Sequence, residues 1–118
     1  MAWELLEGAP AVVKISAAGI LSWNSETQSL LGYPDRVMLW YDVETSQLRI
    51  CRVAAWEGER SCMAVELKKE MYLVYAKEHL TIAGILPQSP LELVPQFPIP
   101  EPGETNQTCH GYVWVDLP

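Results

Sequence analysis

Cations are scarce in this chain. Eight Lys and Arg stand against fifteen Asp and Glu in 118 residues, a formal net charge of −7. The deficit is even: residues 1–60 carry 5 basic and 8 acidic groups, residues 61–118 carry 3 and 7. Nucleic acids are held largely by cationic contacts to phosphate. Anionic membrane surfaces attract basic segments. An evenly acidic chain disfavours both partners. Cysteine is sparse as well. Cys51, Cys62 and Cys109 make an odd count with no CxxC pair, which excludes a disulfide scaffold and the usual zinc-ligand spacing. No window is long and apolar enough for a transmembrane span. The first seven residues, Met1-Ala2-Trp3-Glu4-Leu5-Leu6-Glu7, lack the apolar core of a signal peptide. These absences point to the cytoplasm, with reduced thiols and no membrane. No phosphate-cradling glycine loop and no catalytic-triad constellation is visible.

What is present is apolar patterning. Hydrophobic residues make up 49% of the chain, with five Trp and five Tyr against one Phe. That suffices for a core and excludes a disordered tail. One layout occurs twice. Val13-Lys14-Ile15, Leu21-Ser22-Trp23, Leu30 and Gly32 are matched 52 residues later by Val65-Glu66-Leu67, Leu73-Val74-Tyr75, Ile82 and Gly84. A supersecondary unit used twice explains this spacing.

In chain order, residues 1–11 read as an amphipathic N-terminal arm. Residues 12–16 and 20–23 read as strands around Ala17-Ala18-Gly19. Asn24 or Ser25 caps a short helix, with Ser25-Glu26-Thr27-Gln28 in capping-box form. Gly32 suits a left-handed residue at the helix end, and Pro34 bars continuation. Residues 37–41 and 48–53 are strands around a polar loop. Residues 54–61 connect the halves. In the second half, residues 63–67 and 72–75 are strands around Lys68-Lys69-Glu70, and residues 77–83 form the short helix. Residues 86–106 hold six prolines, which rules out a helix or a central strand. Leu91, Leu93, Val94, Phe97 and Ile99 make this segment too apolar for a free linker, so it is expected to lie extended on the surface. Residues 111–117 alternate as a closing strand.

The order of strand, Gly turn, strand, short helix ending Leu30-Leu31-Gly32, strand, loop, strand resembles the swapped-hairpin unit of AbrB-type transcription factors and of MraZ, which carries two such units in one chain. The resemblance covers nearly all of residues 12–53 and, more weakly, 64–85 with 111–117. It implies a mainly β (α+β) fold: a pseudo-twofold β-barrel of two interlocked units, each with one short helix. The units would be residues 12–60 and residues 61–118, the second carrying the proline-rich insertion 86–106, together one compact domain. A half of about fifty residues cannot bury both faces of its sheet alone, which agrees. The departures concern nucleic acid. The family has Lys-Gly-Gln in the first turn and a proline before the helix. Here Ala18-Gly19-Ile20 and Trp23-Asn24 stand in those places, and Pro34-Asp35 replaces Gly-Asp after the helix. Unit one has no cation at the first turn. Unit two has Lys68, Lys69 and Lys77, interleaved with Glu66, Glu70 and Glu78.

No other constellation carries chemistry. Cys109-His110 is the one thiol–imidazole neighbour pair, and adjacency alone does not give nucleophile–base geometry. The pairs Asp42/Glu44 and Glu57/Glu59 read as solvated loops. Trp23, Trp40, Tyr75 and Trp114 divide between core and an aromatic surface. The expected function is therefore a non-enzymatic protein-interaction module without cofactor. It would bind another protein or a second copy through Leu91, Leu93, Val94, Phe97 and Ile99. The alternative is a DNA-binding regulator acting through Lys68, Lys69 and Lys77.

Overall fold

The computed structural model describes residues 10–53, 62–97 and 111–118. The N-terminal arm, the connector 54–61 and the tip of the proline-rich segment, with Ile99, Cys109 and His110, lie outside the described residues. The elements are β1 (Val13–Ile15), β2 (Ile20–Trp23), α1 (Ser25–Leu31), β3 (Arg36–Asp42), β4 (Gln47–Arg52), β5 (Met63–Ala64), β6 (Glu66–Lys68), β7 (Met71–Tyr75), α2 (Lys77–Ile82), β8 (Leu91–Leu93) and β9 (Tyr112–Asp116). The strands form two antiparallel sheets, ordered β6-β7-β2-β1-β8 and β5-β3-β4-β9. The fold is mainly β with two short helices. Strand pairing among the described residues gives these two sheets and no closed barrel. Each sheet mixes strands from both halves of the sequence: β2 lies against β7 and β4 against β9.

In β1 and β2, Val13, Ile15, Leu21 and Trp23 face the core while Lys14 points to solvent, the period-2 alternation of a strand with one buried face. The turn between them reverses at Gly19, where φ is +81°. A Cβ there would lie 2.8 Å from Lys77 N and closer still to Lys77 Cα. Only glycine meets both demands, the positive φ and the approach of α2.

Helix α1 begins at Asn24. Its Oδ1 accepts the Thr27 N–H at 3.1 Å, and its Nδ2 donates to Pro10 O at 2.8 Å. The expected reciprocal capping box does not form. Gln28 is turned inward instead: Trp23 Nε1 donates to Gln28 Oε1 at 2.7 Å, and Gln28 Nε2 donates to Pro34 O at 3.2 Å. A fully buried indole N–H needs an acceptor, and that requirement outweighs the cap. At the other end Gly32 has φ +82° and Tyr33 N–H returns to Gln28 O at 3.0 Å, the six-to-one bond of a glycine-terminated helix. Helix α2 ends alike. Gly84 has φ +73°, and Ile85 N–H bonds to Leu80 O at 2.9 Å.

The 52-residue layout does not carry through to side-chain environments. Ser16 and Ile20 flank three turn residues, whereas Lys68 and Met71 flank two, Lys69 and Glu70, both with positive φ. This is the tight turn whose twist suits a hairpin. One residue fewer in the turn puts β7 out of step by one, which inverts its faces. Trp23 is buried but Tyr75 is exposed, and Val74 is buried in its stead. Leu67, laid under buried Ile15, is 62% exposed, because β6 is an edge strand whereas β1 is covered by β8.

The proline-rich segment enters sheet pairing. Val13, Lys14 and Ile15 pair with Leu93, Glu92 and Leu91. Pro90 and Pro95 bracket this three-residue edge strand, the one place in a sheet where flanking prolines cost no ladder bond. Beyond buried Pro95, Gln96 exchanges both main-chain bonds with Trp114, at 2.7 and 3.0 Å.

Candidate interaction surfaces

The residues expected to form a docking surface are divided by this pairing. Leu91 and Leu93 are half-buried and pack against the core, so they belong to the fold. Val94 is 75% exposed and Phe97 is also exposed. Val94 and Phe97 are the members of the set that are exposed among the described residues.

Lys68, Lys69 and Lys77 are all exposed. Lys68 Nζ lies 3.4 Å from Tyr75 Oη, and Lys77 opens α2 against the Gly19 turn. Glu66 and Glu70 share the hairpin with Lys68 and Lys69, and Glu78 follows Lys77. The cations are diluted by carboxylates at the same places.

A third surface drew no attention in the sequence. A cleft of about 250 Å³ opens between α2 and the β3–β4 hairpin, lined by Leu39, Trp40, Leu48, Ile82, Ala83 and Ile85 among others. Its cause is a size difference between the helices. Aligned on their matching glycine ends, Leu31 of α1 corresponds to Ala83 of α2. Leu31 is fully buried, while Ala83 leaves space and Ile82 beside it is 80% exposed. His79 also lines the cleft, and its Nδ1 is buried with no hydrogen-bond partner among the described residues. The equivalent position in α1 is Thr27, whose hydroxyl donates to Val12 O at 3.1 Å. The 52-residue layout did set Ile82 under Leu30, and the Leu-to-Ala shortfall one residue on was its detectable signal.

The outer face of the second sheet carries aromatic residues. Trp40, Arg49 and Trp114 stand directly opposite one another across β3, β4 and β9. The Arg49 guanidinium lies 4.8 Å from the Tyr112 ring centroid, and Tyr112 stacks on Trp114 at 6.1 Å. Both contacts hold the row in place. Trp40 is exposed and Trp114 half-buried, whereas Trp23, also an expected candidate, is core.

Comparison with family models, with curated proteins and with solved structures gave no match.

Among the described residues no three His, Cys, Asp or Glu side chains converge as a metal site. Cys51 is half-buried, and burial pushes its thiol above the usual value despite the Arg49 charge nearby. Asp42 is the opposite case. The Glu44 and Thr45 N–H groups donate to Oδ1 at 2.9 and 3.3 Å and hold this exposed carboxyl below its usual range. It stays ionised and fixes the β3–β4 turn. No helix of the described residues is long and apolar enough to cross a membrane.

Proposed function

We propose that the chain is a non-enzymatic protein-interaction module on an AbrB/MraZ-like pair of swapped hairpins, with little capacity for duplex DNA. The observation that carries this reading is the exposure of large apolar side chains, Trp40 and Ile82 foremost, around an apolar cleft. Contiguous exposed apolar surface marks interaction sites. The cations available for phosphate are meanwhile interleaved with carboxylates.

The pairing supports the tandem-unit part of the reading. The chain passes between the sheets twice, each time in one extended run. Residues 63–68 leave β3 for β7, with Val65 N–H still bonded to Asp35 O at 2.9 Å. Residues 91–96 leave β1 for β9. β2 with β7 and β4 with β9 are where each half meets its counterpart. Two sheets joined by two continuous runs support the pseudo-twofold barrel as part of this proposal. Cytoplasmic residence and a protein partner or homo-oligomer belong to the same proposal.

An anisotropy titration with labelled duplex DNA at physiological salt tests the choice against the DNA-binding alternative. No sub-micromolar affinity is expected, since binding strength follows the number of phosphates neutralised. Sub-micromolar binding abolished by Lys68→Glu and Lys69→Glu would replace this reading with the regulator. Crosslinking in the native host should yield a protein adduct or a homo-oligomer; a chain that stays alone would end it.

A further inference from the structure

The cleft beside α2 adjoins a stretch of sheet edge that no strand among the described residues pairs. Arg36 O accepts the Val53 N–H on the β4 side, at 3.1 Å, and Asp35 O accepts the Val65 N–H on the β5 side. Main-chain groups alternate in direction along an antiparallel strand. The N–H and C=O of Leu39 and Tyr41 therefore point away from β4. β5 pairs only with Arg36 and Val37, so among the described residues no strand meets Leu39 or Tyr41 on the side away from β4. Both residues also line the apolar cleft. An open row of main-chain donors and acceptors is a template for another strand, and the cleft alongside takes apolar side chains at every second position.

We propose that the β3 edge at Leu39 and Tyr41 binds an extended segment of a partner protein by strand addition, with alternate apolar side chains in the α2 cleft and a basic residue toward Asp42 and Glu44. This rests on the interaction-module reading and names its surface and partner chemistry. Main-chain bonds supply affinity in such complexes and side-chain pockets supply specificity. The charge preference comes from the edge's far end. Asp42 and Glu44 are exposed there, and the Asp42 carboxylate is fixed by two N–H donors. Arg49, over Tyr112 on the sheet's outer face, offsets part of this charge and leaves the pair of carboxylates net negative. Ala83 sets the depth of the cleft, and Ile82 forms its exposed lip.

The test uses the full chain and a fluorescent probe peptide of alternating Val and Thr residues flanked by Lys. Three comparisons read the three parts of the proposal. N-methylation of alternate amides should weaken binding at least tenfold, because it removes the donors facing β3. Replacing the flanking Lys with Glu should weaken it at least threefold. Ala83→Arg should weaken it at least tenfold. Ala83 is exposed at the end of α2 with helical φ −74°, where Arg suits the helix dipole, and an unchanged circular dichroism melt confirms that this variant folds. Equal affinity of the N-methylated probe, equal affinity of Ala83→Arg, or no binding of the parent probe at millimolar concentration would overturn the proposal. Self-association of the chain abolished by Ala83→Arg would assign the edge to a second copy and overturn the foreign partner. A host partner captured equally by Ala83→Arg would leave the module reading standing and remove this edge from it.

Discussion

Replacing Gly19 with Ala tests the contact that joins the two halves most closely. Gly19 has φ +81° and its O accepts the Ala76 N–H at 2.9 Å. An alanine in the left-handed region costs about 1–2 kcal/mol. The added methyl would also meet Lys77 N at 2.8 Å, with Lys77 Cα nearer still. Those are main-chain atoms at the start of α2, which cannot rotate aside. Forcing them apart is an overpacking cost of about 1–3 kcal/mol, so the total is ~2–5 kcal/mol. Gly84→Ala supplies the control. Its φ is +73° and nothing lies within 4 Å of the added methyl, so only the first cost of about 1–2 kcal/mol applies. The gain from stiffening the unfolded chain is common to both variants and cancels. Urea unfolding of the two variants and the parent reads the difference. With a slope of about 1–3 kcal/mol per molar urea, Gly19→Ala should lower the midpoint by roughly 1–3 M, well beyond Gly84→Ala. Equal shifts for the two variants would show that the β1–β2 turn is not seated on α2, and the interleaving of the halves would lose its tightest point.

Trp23→Phe should destabilise by about 1–3 kcal/mol beyond its lost volume, because Gln28 Oε1 would be left buried without a donor. A thermal melt in which Gln28→Leu on top of it restores part of the loss would locate the cost in that bond. Asn24→Ala should cost about 0.5–2 kcal/mol through the lost helix cap, and an unchanged melting temperature would refute the cap. Asp42 has a folded-state pKa below its unfolded one. Its support of the β3–β4 turn is full above the unfolded value and fades as pH falls through the lower folded value. The Glu44 amide resonance should report this, and Asp42→Asn should abolish the acid-side change. Cys51, its thiol raised by burial, should alkylate slowly at neutral pH and accelerate only as pH climbs past the usual thiol range; fast labelling at pH 7 would contradict its burial.

Local structure was legible in the residues wherever it depends on near neighbours. Alternation marked β1, β2, β3, β4 and β9. Gly32 and Gly84 marked the helix ends, because a left-handed residue followed by a backward hydrogen bond is a short-range requirement. The prolines of residues 86–106 forbade a central strand, and β8 is indeed an edge. Tertiary structure decided the rest. Sequence spacing does not show which way a strand's faces turn once a turn loses one residue, so Tyr75 came out exposed where Trp23 is buried, nor which strand stands at a sheet edge, so Leu67 came out exposed where Ile15 is buried. Nor does it show that Gln28 would leave its cap to satisfy a buried indole. Leu91 and Leu93 read as a docking surface on hydrophobicity alone, but pairing with β1 packs them, partly buried, against the core. The α2 cleft and the edge of β3 left unpaired among the described residues have no local signature. A cleft is set by how far two elements stand apart, and an edge by which strand fails to arrive, and both are properties of the assembled sheets.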